Sequence, residues 1–350
     1  MIDEDILQIY VTKAIRRIED LYYKTSGACY LSFSGGKDST IVLALIKLCE
    51  ELKTIPKNAI PAVYCDTKIE LGATIDFVKW VHDNWYGNVQ IIQTEKLFSQ
   101  VLKESGKPFR SKFKSSNIWY YQNKPTTKTA KYLYIDSICK SKRGRLSNKD
   151  FHILHSDFNI KISDVCCNEM KKKPFKKYAM DNKIEGYFLG IRGAEGGKRA
   201  FHYERAIIGG KSPCTYVKGN LTIKYPIIDW SDEMCDSFIK KYDVPLSKAY
   251  TEYGMERTGC FLCPYDSAIE KKLEILHKYE PNRYKASLFY LKDIYIAQGV
   301  KLPFDDNYMD EYNEKWKDYE RMRYEMLKKY RPDCQIVKKY EKNNWNNSEF

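Results

Sequence analysis

The most constraining feature of this chain is a handover. An apolar run at residues 28–33 passes directly into Ser34-Gly35-Gly36-Lys37-Asp38-Ser39, and a strongly apolar helical pattern over residues 40–52 follows at once. A buried strand joined to a buried helix through adjacent glycines fits a sheet covered by helices and little else. The pattern then repeats. Residues 60–65 read as a second strand, 74–85 as a helix, 89–93 as a third strand, 186–191 as a further strand and 232–242 as a helix. Strands alternating with helices predict an α/β fold with a parallel sheet. Ahead of them, Ile6, Ile9, Val11, Ile15, Ile18 and Leu21 fall at helical spacing, predicting a leading amphipathic helix over residues 4–24.

Glycines at 35 and 36 let the backbone turn tightly and aim its N–H groups at an anion. The positive end of the following helix adds to the attraction, so a phosphate belongs at this turn. It is not a Walker A loop, because Leu31 and Asp38 stand where that motif needs its first Gly and its Ser or Thr.

The 350 residues carry a formal charge of +13, and residues 101–180 alone hold 19 Lys plus Arg against 6 Asp plus Glu. One segment therefore carries the whole excess, and an anionic partner such as nucleic acid is the functional reading of such a concentration. A solvated, lysine-rich insertion is the plain alternative. Over residues 105–160 the periodicity gives way to basic, aromatic and polar residues, read as a partly helical insertion. The expected organisation is a leading helix at 1–28, a main domain at 29–265 and a helical C-terminal region at 266–350. No apolar run approaches the roughly 18 residues of a membrane span. The start MIDEDILQIY lacks a basic region before an apolar stretch, so a cytoplasmic location is expected.

Eleven cysteines without an export signal read as thiols or metal ligands rather than disulfides. Cys166 and Cys167 are adjacent, and Cys260-x-x-Cys263 stands in RTGCFLCPY. A Cys-x-x-Cys turn converges two thiolates on one metal. Adjacent residues on a helix diverge by about 100°, which suits a bulky cluster better than one small ion. Zinc bound by four cysteines is the competing reading, and buried structural thiols are the plain one.

The Ser34–Ser39 hexapeptide resembles the pyrophosphate loop of the PP-loop (N-type) ATP pyrophosphatases. YCDTKIELGAT is similar to the Asp-Thr-Gly-x-Glu-x-Pro-Glu-Thr stretch of the phosphoadenosine phosphosulfate (PAPS) reductase-like branch; Asp66, Thr67, Glu70 and Thr74 match, whereas Lys68, Gly72 and Ala73 depart from it. The cysteine pattern resembles the 4Fe–4S site of iron–sulfur members of that branch. SGKPFRSK at 105–112, GIRGAEGGKRA at 190–200 and YPIIDW at 225–230 also look like this group.

The resemblance implies a Rossmann-like PP-loop core that binds ATP, usually with Mg²⁺. Ser34, Gly35, Gly36, Lys37, Asp38 and Ser39 would hold the pyrophosphate, with Asp66 and Thr67 on the nucleotide; Lys37 and Asp38 would be catalytic. Lys112, Arg192, Glu195 and Arg199 would bind substrate, and Cys166, Cys167, Cys260 and Cys263 would hold a 4Fe–4S cluster.

Three functions remain in play. The favoured one is an adenylyltransferase that cleaves ATP to AMP and pyrophosphate and activates an acceptor for sulfur insertion. Relatives of that kind modify DNA or tRNA, with a cysteine desulfurase as a possible sulfur donor. A sulfonucleotide reductase is the first alternative, but its C-terminal Glu-Cys-Gly-x-x-His nucleophile has no counterpart here: the late Cys334 lies in RPDCQIV. A non-catalytic iron–sulfur nucleic-acid-binding protein is the second, and would not need an intact loop.

Overall fold

The computed structural model describes residues 2–136, 138, 144–195, 204, 207–209 and 212–342. The chain divides into two compact units, each assembled from two stretches: residues 1–95 with 171–259, and residues 96–170 with 260–350.

The first unit holds a six-stranded sheet. Its strands are β1 (Cys29–Phe33), β2 (Ala62–Asp66), β3 (Val89–Gln93), β4 (Gly186–Phe188), β5 (Thr215–Lys218) and β6 (Leu221–Lys224). They lie in the order β3-β2-β1-β4-β6-β5, and every pairing is parallel except β5 with β6. The sheet grows outward in one direction through β2 and β3 and in the other through β4. The carboxyl ends of β1 and β4 therefore flank the point where strand order reverses, and a crevice opens there in such sheets.

Alternation along β1 explains how both faces are covered. Leu31 and Phe33 join Phe188, Tyr64 and Ala62 in the larger core, under α1 (Glu4–Lys24), α2 (Lys37–Glu51), α3 (Gly72–Trp80) and, further along the chain, α5 (Asp232–Lys241). Tyr30 and Val63 face the other way, where α4 (Lys173–Asp181) lays Phe175 and Tyr178 over them. The Tyr30 and Phe175 rings stack at 5.9 Å, and Tyr30 stacks on Tyr187 at 5.4 Å. Helix α2 is buried almost all round from Ser39 to Ile46, consistent with its apolar sequence.

Several elements differ from the sequence expectation. The buried stripe of α1 is Leu7, Val11, Ala14, Ile18 and Leu21, whereas Ile6 and Ile9 are exposed. The expected helix over 74–85 is α3 followed by a π-helical turn, Val81–Trp85. The strand expected at 186–191 ends at Phe188, and the rest of that run becomes a loop. Strands β5 and β6 form a hairpin that the sequence reading passed over. Their two-residue turn, Gly219-Asn220, has φ +60 at Gly219, a recognised hairpin signal.

The second unit is helical. It comprises helices Phe98–Ser105, Lys112–Asn123, Ile269–Tyr279, Pro281–Ala297 and Asp306–Tyr330, with a buried 3₁₀ segment, Asn148–Leu154. The insertion and the C-terminal region thus share one fold: His152 stacks on Tyr319 at 4.8 Å, and Lys107 pairs with Asp293 at 2.7 Å. No helix of the described residues is long and apolar enough to cross a membrane.

Candidate functional site

In the first unit, the loop between β1 and α2 opens into a polar cleft of about 730 Å³, lined by Ser34, Gly36, Lys37, Asp38 and Ser39 and by residues from the chain beyond β4. Gly35 takes φ +67, and a Cβ there would come within 2.9 Å of the Thr74 side chain, so glycine is required twice over. The loop is braced by its own hydroxyls. Ser34 Oγ accepts from the Gly36 N–H at 3.3 Å and lies 3.0 Å from Ser39 Oγ, while Ser39 Oγ donates to the Gly36 carbonyl at 2.9 Å. Helix α2 starts at Lys37 with Gly36 as its N-cap, which offers no capping side chain. Its first N–H groups are left for a ligand or for other parts of the chain.

The chain leaving β4 closes the other side. A Cβ on Gly190 would lie 2.7 Å from the Asp38 carbonyl and 2.7 Å from the Ser39 nitrogen, so the two loops touch backbone to backbone. Two residues on, Arg192 is buried. Its Nε donates to Asp38 Oδ1 at 2.9 Å and its Nη2 to Asp232 Oδ1 at 2.7 Å. Burial works against the Arg192 charge, but Cys235, Asp38 and Asp232 more than offset it, and its pKa rises. The hydrogen bond and charge of Arg192 in turn hold the Asp232 carboxyl below its usual range. Asp232 and Asp236 sit one turn apart at the start of α5, capped by Ser231, and Lys37 Nζ lies 3.3 Å from Asp236. The YPIIDW segment holds this corner: Ile228 accepts from the Gly193 N–H at 2.8 Å, and Asp229 makes a two-pronged pair with Arg17 of α1.

The structure thus gathers Ser34 to Ser39 and Arg192 around one cleft, with Arg192 gripping the loop's own aspartate. Asp66 and Thr67 end the neighbouring strand β2. Thr67 is buried, and both its N–H and its hydroxyl donate to Glu70, at 3.1 and 2.6 Å. Lys68 occupies the place of the motif's glycine and takes φ +63, so the turn keeps a glycine-like shape. Asp66 feels an upward push from burial, but hydrogen bonds from the Lys68 side chain and backbone outweigh it and lower its pKa. Glu195 ends a 3₁₀ turn, Gly193–Glu195, and Arg199 lies outside the described residues. The sequence reading missed Asp232, Asp236, Tyr250 and Thr258. Their side chains reach the cleft from segments that carry no glycine signature.

Lys112 belongs to the second unit, where it is exposed at the first position of its helix. All four paired cysteines lie in that unit too. The Cys260–Cys263 turn is closed by a Cys263 N–H bond to the Cys260 carbonyl at 3.2 Å. It is anchored from the C-terminal helices: buried Lys272 donates to the Cys260 carbonyl at 3.1 Å, and buried Tyr295 to the Leu262 carbonyl at 2.8 Å. Cys166 is hydrogen-bonded to Cys167, and that bond, burial and the charges of Cys167, Cys260 and Cys263 all push its thiol pKa up. Burial first, then Cys260, pushes Cys263 up to about 12. Cys166 thus feels the other three paired cysteines, although among the described residues no three His, Cys, Asp or Glu side chains form a group that could hold a metal ion. Cys166 and Cys263, whose ionisation the neighbouring thiols oppose, are donors that a bound cation would ease.

The fold is a doubly wound α/β sheet, parallel but for one edge strand, with the glycine loop at its switch point. The chain belongs to the phosphoadenosine phosphosulfate reductase domain family, whose model matches residues 28–124 and 126–266. Two uncharacterized proteins of Methanocaldococcus jannaschii are 26% and 24% identical over 75% and 71% of the chain. The chain spans less than half of their length, 41% and 44%.

Among solved structures, PAPS reductase from Candida auris in a phosphate complex aligns over 74% of this chain and 96% of its own, with TM-score 0.41 and 10% identity. Candida glabrata FMN adenylyltransferase with FMN and an ATP analogue aligns over 74% and 67%, at 0.40 and 13%. The U34-tRNA thiolase NcsA from Methanococcus maripaludis, with its 4Fe–4S cluster, aligns over 82% and 80%, at 0.35 and 12%.

The contact at Gly190 gives a direct test of the site's construction. Gly190→Ala forces a methyl group against the Asp38–Ser39 backbone and should destabilise the protein by about 1–3 kcal/mol in urea unfolding. It should also weaken pyrophosphate binding on the order of tenfold or more by calorimetry, since the loop must shift. Unaltered binding would mean that the loop geometry does not depend on this approach.

Proposed function

We propose that the first unit binds ATP with its β- and γ-phosphates in the Ser34–Ser39 loop and passes AMP to an acceptor. The observation that carries this reading is the start of α2 behind two glycines, with no capping side chain from its own N-cap residue, beside Lys37, at the switch point of the sheet. Backbone donors and a lysine placed there offset charge that develops on departing pyrophosphate. Mg²⁺ would accompany the phosphates. Arg192 would keep Asp38 in place, and Glu195 and Arg199 are proposed for the substrate side of the first unit; Lys112, in the second unit, keeps the substrate role that the resemblance implies. ATP should yield AMP and pyrophosphate, and Lys37→Ala should lower the rate by on the order of 10²-fold. Chromatography of α-labelled ATP decides between this and ADP formation, which would overturn the assignment. The family match keeps a sulfonucleotide reductase as a second reading; release of sulfite from a sulfonucleotide, without ATP cleavage, would favour it.

The second unit's Cys166, Cys167, Cys260 and Cys263 would hold a 4Fe–4S cluster, with zinc as the competitor; a cluster there would supply sulfur handling or structural cross-linking. Anaerobically purified protein should be brown and carry about four irons per chain. Serine at any of the four positions should lower the iron content, and serine at Cys334 should not. One zinc per chain in colourless protein would assign the site to zinc.

Nucleic acid is the proposed acceptor, for sulfur insertion of the DNA or tRNA type, with a cysteine desulfurase as the proposed sulfur source. The concentrated charge of residues 101–180 supports it. Affinity for duplex DNA should fall with salt at a log–log slope of about −0.9 per contacted phosphate, and reversing the charge of the exposed Lys124 and Lys128 should flatten it. Absence of binding to DNA and tRNA at low salt would leave the segment as a solvated insertion.

A further inference from the structure

The anion cradle of the first unit is filled by the protein's own oxygen atoms. The Lys37 N–H, the first of α2, donates to the Tyr250 hydroxyl at 3.0 Å. That hydroxyl lies 3.2 Å from Thr258 Oγ1. Both groups crowd the loop so closely that a Cβ on Gly36 would meet Thr258 Oγ1 at 3.0 Å and the Tyr250 hydroxyl at 3.3 Å. Lys37 Nζ, meanwhile, points to Asp236. The backbone donor and the ammonium that face the cleft each have an internal acceptor.

The Lys37 N–H has no partner within its own helix, so in the ligand-free chain an oxygen from outside the helix meets it. A phenol oxygen can stand where a phosphate oxygen would, but it brings no negative charge to the helix N-terminus. A phosphate would therefore displace it with a gain.

The segment bearing these groups starts from a fixed point. Ser247 is buried and its hydroxyl donates to the Ala73 carbonyl at 2.9 Å, which anchors the start. A short helix, Lys248–Thr251, carries Tyr250, and Gly254 follows with φ +68 and open space where a Cβ would stand.

We propose that Tyr250 is a gate on the pyrophosphate cradle. Its hydroxyl holds the place of a pyrophosphate oxygen in the ligand-free chain, and the segment from 248 to 258 withdraws, with Thr258, when that group binds. The inference rests on the reading of the loop as a pyrophosphate site. The ligand class is the pyrophosphate group, whether free or as the β,γ-phosphates of a nucleoside triphosphate.

The test is calorimetric titration of the full chain with inorganic pyrophosphate, with ATP and with AMP, each in the presence of Mg²⁺. Tyr250→Phe keeps the ring and removes the competing acceptor. It should tighten pyrophosphate and ATP binding by about three- to tenfold, the worth of one lost internal hydrogen bond, and leave AMP unchanged. Tighter binding of pyrophosphate alone would confine the gate to the free ion, and tighter binding of both extends it to the nucleotide. Unchanged or weaker pyrophosphate binding in the variant would overturn the gate while leaving the cradle intact. No pyrophosphate binding in either protein would overturn the cradle reading, and the gate with it. If Tyr250→Phe melts early, two other measurements decide. Thr258→Val should tighten binding in the same direction, and nitration of wild-type Tyr250, followed by peptide mass, should speed up when pyrophosphate is added. A nitration rate that pyrophosphate slows or leaves unchanged would overturn withdrawal.

Discussion

The site depends on one close approach: the backbone at Gly190 lies against the backbone of Asp38 and Ser39, with no room for even a methyl group. That contact locks the exit of β4 onto the first turn of α2. Once it forms, Arg192 falls two residues further along, where it can reach Asp38 and Asp232 together. A buried guanidinium between two carboxylates is stable only because both are present, and removing one would leave a charge poorly compensated. The loop's aspartate, the start of α5 and the β4 loop are therefore one construction. Arg17 and Asp229 extend it to α1, so even the leading helix bears on the geometry of the cleft.

The two units divide the chemistry-bearing residues cleanly. The first takes the glycine loop, Arg192 and the β2 turn; the second takes the four paired cysteines, and its helices arise from parts of the chain far apart in sequence. The turn carrying Cys260 and Cys263 is held by Lys272 and Tyr295, two buried polar side chains whose only described bonds into this turn go to backbone carbonyls or to Asp266. Such anchoring holds the backbone of the turn on which both cysteines sit. The helices after residue 266, beyond the family match, therefore have a definite task in shaping a segment that lies within it.

Charge is distributed less simply than the +13 segment implies. Within it, Lys107 pairs with Asp293 and Lys171 with Glu70, both partners lying outside the segment. Some of the excess is thus spent on holding elements together, and exposed lysines such as Lys124 and Lys128 carry the part that remains open to an anionic partner. A formal count over a segment cannot make this division, because it does not see partners contributed from elsewhere.

By itself, the sequence determined the elements with strong local signals. The apolar run into Gly35-Gly36 identified β1, the loop and α2, and β3 falls at residues 89–93 as its pattern predicts. Local composition suffices for β1 and α2 because a strand buried on both faces and a helix buried all round leave few other arrangements; β3, at an edge and largely exposed, was marked instead by its short Val-Gln-Ile-Ile-Gln run. Weakly patterned elements were not legible: the β5–β6 hairpin lies at the sheet edge, where Tyr216 and Val217 can be exposed and alternation carries little information. Tertiary structure alone decided which distant residues meet. Nothing local marks Asp232, Tyr250 or Thr258 as neighbours of the glycine loop, and nothing local joins the insertion to the C-terminal helices. Those encounters follow from strand order and from how the chain crosses between units, and both are fixed by the packing of whole elements rather than by the residues at the point of contact.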